Sequence, residues 1–200
     1  MSFSSTRGFT LLELMITVLV IAILTAIAWP NFRDFMHRNA VTAQANQILA
    51  SLQYARNEAV SRRYPTGLCG TSTDNACPSA GDTNFEDGWL VWRDVTLSGT
   101  PSYDSSKDEL LRVTQAQNGV SIRSFGGTSA GVIAFDQRGA VIGAGGGTTN
   151  IVVCAKKSSS DPLGANTPTA PGKYVRVDAS GRVTVQNLAA TDGCGAAPAS

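Results

Sequence analysis

The sequence is short of the residues that enzymes most often spend on chemistry. It holds a single histidine, His37, so a Ser-His-Asp or Cys-His arrangement would have only that one residue to draw on. Neither GKS nor GKT occurs, which removes the Walker A phosphate loop, and the HExxH metalloprotease helix is missing too. The stretch GAGGGTTN at 143–150 is rich in glycine but does not fit GxGxxG, and it reads as a turn. Asp108-Glu109 is better placed on a solvated strand end than as a general acid and base. The chain also lacks a strong charge of either sign: 16 basic residues stand against 15 acidic ones. A polyanion-binding protein would usually carry a clear basic excess, so any nucleic-acid role must rest on a local patch. No catalytic residue, cofactor or metal is expected.

Four cysteines are present, Cys69, Cys77, Cys154 and Cys194, all in the later part of the chain. Their even number is compatible with two disulfides in one of three connectivities, and disulfides call for a periplasmic or extracellular setting. The spacing does not match a zinc site. Cys69 with Cys77 would close a short loop. Cys154 with Cys194 would tie the C-terminal tail to a core strand by closing a loop of about 40 residues, a constraint worth about 3–4 kcal/mol.

What the chain has in abundance is an apolar start. Phe9 to Trp29 is a run of 21 residues without Gly, Pro, Lys or Arg. As a helix it would reach about 30 Å, enough for a bilayer core. Arg7 before it favours a cytoplasmic N-terminus, which puts Arg33, Asp34 and Arg38 across the membrane. An ordinary secretory signal is the competing reading, with Ala26-Ile27-Ala28 as its cleavage site. Glu13 argues against it. An acid at membrane depth costs about 2.5–3.5 kcal/mol, and a disposable signal has no use for that cost.

The string RGFTLLELMITVLVIAIL resembles the N-terminus of type IV prepilins and pseudopilins. The resemblance implies cleavage by a prepilin peptidase between Gly8 and Phe9, removing the leader 1–8, and N-methylation of Phe9. It also implies a partner for Glu13: the terminal amine of a neighbouring subunit, met as helices pack into a filament. The physics agrees, since an unpaired acid and an unpaired amine are each costly in a low-dielectric bundle and relieve one another in register.

Helical character continues beyond the apolar run. Val41, Ala45, Ile48, Leu52, Ala55 and Ala59 recur at spacings of three and four, while Gln44, Asn46, Gln47, Gln53, Arg56, Asn57 and Arg62 take other faces. One helix is expected from Phe9 to Arg63, with a membrane and assembly half over 9–36 and an amphipathic half over 37–63. Tyr64-Pro65 would close it. Pro30 removes one backbone bond and predicts a kink, or else the end of one helix and the start of another. Residues 64–200 should form a β-rich domain. Within it 64–87 reads as loop, and short strands follow at 88–94, 109–115, 120–125, 131–136, 150–155, 173–178 and 182–188. KYVRVD-ASG-RVTVQ reads as a hairpin in which Val175, Val177, Val183 and Val185 alternate with polar residues. GWLVWRD is apolar on both faces, Trp89 and Val91 on one and Leu90 and Trp92 on the other, so one face should meet the amphipathic half of the helix and one a second sheet. The expected fold is α+β and pilin-like, a long N-terminal helix packed on a C-terminal antiparallel β-sandwich.

SLQYARNEAVSRRYPTGLC, DGWLVWRD, ELLRV, IAFDQRG and VDASGRV, in that order, are similar to the H-type pseudopilin and FimT/FimU minor pilin family. This implies a minor pilin that enters or primes a type IV pilus. Its partners would be other pilins, the prepilin peptidase, an inner-membrane assembly platform and, before assembly, membrane lipid. The β domain would be periplasmic first and then carried on a filament at the cell surface. Two alternatives stand beside it. A type II secretion pseudopilus subunit would share the same N-terminus. A DNA-binding minor pilin acting in DNA uptake would use basic residues near a G-R-x-R segment, here only Gly181-Arg182-Val183-Thr184. Lys173, Arg176 and Arg182, with Lys156 and Lys157, could form a patch there, with Lys173 and Arg182 close together and Arg176 on the opposite face. Charges on a solvated sheet face are the plainer reading.

Overall fold

The computed structural model describes residues 9–71, 76–77, 82–97, 102–126, 131–143 and 147–198, which leaves Gly8 and the rest of the expected leader outside the described residues. The chain divides into two compact units after Met36. A single helix, α1 (Leu11–Arg62), precedes β1 (Thr66–Gly70), β2 (Trp89–Arg93), β3 (Glu109–Thr114), β4 (Val120–Gly126), β5 (Val132–Phe135), β6 (Thr149–Ala155), β7 (Lys173–Val177) and β8 (Val183–Asn187). The helix is unbroken at Pro30, so a second helix does not begin there. It ends where Arg63 turns into the left-handed region (φ 59°) and Pro65 follows, a residue that cannot continue it.

The strands form two antiparallel sheets, β3-β2-β1-β5 and β4-β6-β7-β8. Both present one face to a common core. Val41, Ala45, Ile48, Leu52, Ala55 and Ala59, the stripe expected on α1, are all fully buried there. They meet Leu68, Trp89, Val91, Ile133 and Phe135 from the first sheet and Ile122, Ile151, Val153, Val175 and Val177 from the second. Burying a side chain such as Ile48 or Leu52 contributes about 1.5–3 kcal/mol, so this stripe anchors the helix. Gln44, expected on another face, is buried as well, with its Nε2 donating to Gln47 Oε1 at 3.3 Å.

Two expectations need correcting. Residues 66–70 are not loop but β1, an interior strand paired with β2 on one side and β5 on the other. The other correction concerns Leu90 and Trp92, which meet no second sheet. They form a separate cluster with Cys69, against which Cys77, Tyr103 and Val132 pack. Leu90, Cys69 and Val132 are register partners across three strands, so one outward row carries the start of the Cys69–Cys77 disulfide (Cα–Cα 5.7 Å). Tyr103 covers Trp92 with ring centroids 5.7 Å apart. The turn behind Tyr103 is held by Asp104: its Oδ2 meets Lys107 Nζ at 2.8 Å and its Oδ1 accepts from Ser106 N–H at 3.0 Å. Asp108 closes the turn by accepting the Asp104 N–H at 2.8 Å.

The outward face of the second sheet is built the same way. Val152, Cys154, Tyr174, Leu188 and Cys194 cluster there, and Cys154–Cys194 (Cα–Cα 6.2 Å) ties the tail down. Asn166 Nδ2 holds the tail too, donating to Ala189 O at 2.7 Å and Asp192 O at 3.0 Å. Both disulfides therefore join the expected cysteines, and each pins a cover over the outer face of one sheet. The expected hairpin forms, and its register sets Val175 opposite Val185 and Val177 opposite Val183.

Candidate assembly and binding surfaces

The N-terminal surface is a helix whose apolar side chains stay uncovered. Every residue from Phe9, 85% exposed, to Trp29, 69% exposed, is exposed. The helix is long and apolar enough to cross a membrane. Glu13 is the sole ionisable side chain in that stretch and sits in the first turn of α1. The Glu13 N–H donates to Thr10 Oγ1 at 3.2 Å, and the Leu14 N–H donates to Thr10 O at 3.2 Å. Thr10 is thus the N-cap and Glu13 the third helical residue, the T-x-x-E spacing of a capping box. A negative charge there also suits the positive end of the helix dipole. Thr10-Leu-Leu-Glu13 carried this signal in the sequence, inside a run whose apolar character masks it.

On the β domain the structure does not gather the basic residues of the hairpin. Lys173 stands opposite Asn187 and donates to its Oδ1 at 2.7 Å, at the end of the hairpin away from the turn that holds Arg182. Five strand steps separate Asn187 from Arg182, about 17 Å. Arg176 pairs with Asp178 at 3.0 Å. Lys156 is held by Glu86 at 2.7 Å, and Arg123 reaches the same carboxylate at 3.0 Å. Arg182 and Lys157 remain as exposed cations of the set.

Arg182 instead has a neighbour on α1 that sequence reasoning did not single out. Two turns share one pattern. Asp136 N–H donates to Ala140 O and Gly139 N–H to Asp136 O, while Asp178 N–H donates to Arg182 O and Gly181 N–H to Asp178 O. Gly139 (φ 81°) and Gly181 (φ 77°) supply the left-handed residue each turn needs. Val141 N–H donates to Ala179 O at 2.9 Å and joins the turns. Arg56 of α1 enters between them, its Nε donating to Gly139 O at 3.0 Å and its Nη2 to Ser180 O at 3.4 Å. Beside it opens a cleft of about 280 Å³ lined by Gln53, Arg56, Asn57, Gly181, Arg182 and Val183. The repeated D-x-x-G-x-V in DQRGAV and DASGRV was the available signal.

No three His, Cys, Asp or Glu side chains come together as a metal site among the described residues. Gly127 to Gly131 spells GxSxG, but β4 precedes it and β5 follows, where a nucleophile elbow needs a helix. Ser129 lies outside the described residues.

Residues 44–181 match the family model of the type II transport protein GspH. The chain belongs to the GspH family. Residues 3–29 of this GspH-family pilin match the prokaryotic N-terminal methylation motif. A fimbrial protein of Pseudomonas aeruginosa is 30% identical over 138 residues, 68% of this chain and 76% of the relative. The type IV major fimbrial protein FimA of Dichelobacter nodosus is 32% identical over 129 residues, 64% of this chain and 72% of the relative. The crystal structure of the type IV minor pilin FimU of P. aeruginosa shares the fold, with TM-score 0.50 and 17% identity over 80% of this chain and 96% of that one. The protein is accordingly a member of the type IV pilin and pseudopilin family, a structural family rather than an enzymatic one.

Proposed function

We propose that the protein is a minor pilin that enters a type IV pilus and helps prime its assembly. The observation that carries this reading is Glu13, the lone charge in the exposed apolar run Phe9–Trp29, four residues beyond Phe9. The protein is inserted in the inner membrane with its β domain in the periplasm. A prepilin peptidase cuts between Gly8 and Phe9 and methylates the Phe9 amine. The assembly platform then draws the helix out of lipid and into a bundle of other pilins, where Glu13 neutralises a neighbouring subunit's amine. Apolar helix contacts supply most of the driving force, and the ion pair sets the register.

A Glu13→Ala variant tests this: it is processed normally but is reduced in sheared pilus fractions, and normal incorporation would refute the role of the acid. The match to the GspH model favours a second reading, a type II secretion pseudopilus subunit. A deletion strain scored for twitching, secretion and DNA uptake separates these, because loss of secretion with normal twitching selects the pseudopilus. The basic residues named for DNA capture do not converge, since Lys173 lies at the far end of the hairpin from Arg182 and Arg176 pairs with Asp178.

A further inference from the structure

We propose that the open edge of β8 and the Arg56–Arg182 cleft form one docking site for an extended acidic segment of a partner protein. Two independent features meet at Val183. The first is the register of the hairpin. Asp178 N–H donates to Arg182 O at 3.0 Å and Leu188 N–H to Gly172 O at 2.9 Å. Hydrogen-bonded and non-bonded pairs alternate between these points. Thr184 and Gln186 therefore spend their main-chain groups on β7, while Val183, Val185 and Asn187 turn theirs outward. β8 is the last strand of its sheet, so no described strand takes those groups. Such an edge is a ready template for a further strand.

The second feature is charge. The cleft at the Val183 end holds two guanidinium groups, those of Arg56 and Arg182, with the amides of Gln53 and Asn57, and no carboxylate lines it. Neither arginine makes an ion pair among the described residues, and Arg56 spends two N–H groups on carbonyl oxygens alone. Lys173 adds a third cation at the other end of the edge, held only by the neutral Asn187 amide. The occupant favoured by this pattern pairs its backbone with Val183, Val185 and Asn187 and seats a carboxylate between the arginines, where charge-assisted bonds are strongest. The site needs only the folded unit from His37 onward, α1's second half with the two sheets, and does not depend on the assembly reading above.

The test uses the full-length protein in detergent micelles and a labelled blocked peptide of alternating valine and glutamate. Anisotropy should show it binding, with the lysine counterpart about tenfold weaker or worse. Arg182→Glu should weaken the glutamate peptide about tenfold. Val185→Pro should do the same, because it deletes an outward N–H that no bond to β7 uses. If Val185→Pro proves unfolded by melting, Arg182→Glu decides alone. Equal binding of both peptides, undiminished binding by Arg182→Glu, or no binding up to about 1 mM overturns the proposal. A single-stranded oligonucleotide that binds more tightly than the peptide and competes with it would overturn it in favour of nucleic acid.

Discussion

The indole N–H of Trp89 donates to Ser51 Oγ at 2.9 Å, joining the interior strand β2 to α1 through a bond in which Trp89 is fully buried and Ser51 is 1% exposed. The apolar stripe on α1 fixes which face meets the sheets, and this bond fixes where along the helix Trp89 sits. Ser51→Ala would leave a buried N–H without its acceptor and should cost about 1–3 kcal/mol. Denaturant unfolding checks it; a loss of only a few tenths of a kcal/mol would mean that the indole finds another acceptor.

Gly67 and Trp92 are register partners, and a Cβ on Gly67 would overlap the indole. Gly67 does not have a positive φ, so the constraint is steric alone. Gly67→Ala should cost about 1–3 kcal/mol through overpacking, and more where the indole cannot move. Gly119→Ala is the control: nothing lies within 4 Å of its Cβ, but its φ is 83°. It should cost about 1 kcal/mol or somewhat more through backbone strain alone. Equal melting temperatures for wild type and Gly67→Ala would show that the outer cluster is loosely packed.

This pair also explains what the sequence concealed. The α1 stripe and the β7–β8 hairpin were legible because each repeats its period several times with strong apolar residues. β1 was not, since Thr66-Gly-Leu-Cys-Gly70 has one aliphatic residue and two glycines, and its place in the sheet comes from partners distant in sequence. Gly67 reads as a strand breaker until Trp92 is seen lying over it. Likewise, hairpin register alone moved Lys173 away from Arg182, a distance that residue types could not give. The Arg56 contacts join residues 83 and 124 positions apart, beyond the reach of any local pattern.

The two disulfides should differ in weight. They close separations of 40 and 8 residues. Loop-closure entropy then gives about 3.9 kcal/mol for Cys154–Cys194 and about 2.5 kcal/mol for Cys69–Cys77. Paired Cys→Ser variants, unfolded in denaturant, should follow that order. The reverse order would show that the outer cluster on the first sheet depends on its disulfide for packing and not only for chain entropy.

Asp104 and Asp108 should respond to pH in opposite senses. Hydrogen bonding from Lys107 and Ser106 holds the Asp104 carboxyl well below its ordinary value, so its contribution is present at neutral pH and is lost as pH falls below the carboxylate range. Burial, then the charges of Asp94 and Asp104, pushes Asp108 up. Its ionised form is a burden above its folded pKa, relieved as pH falls through it. Asp108→Asn keeps an oxygen for the Asp104 N–H and removes the charge. Its melting temperature should exceed wild type at pH 7, and the gain should vanish near pH 3.5 or below. A gain unchanged across that range would show that charge is not the cause.

Thr10 and Glu13 allow the assembly role of the acid to be separated from its local one. As a capping residue, Glu13 is replaceable by glutamine, which serves the same position in a capping box. As the partner of a neighbour's amine it is not, because the amide carries no charge to balance the cation in a dry bundle. Glu13→Gln should therefore be processed like wild type yet fail to enter filaments, as Glu13→Ala does. Thr10→Ala removes the cap, costing about 1 kcal/mol of helix stability, but leaves the charge and should still be incorporated. The measurement is the fraction of each processed variant recovered in sheared filaments. Full incorporation of Glu13→Gln together with loss for Thr10→Ala would reverse the assignment and make the first turn's geometry, not its charge, what assembly requires.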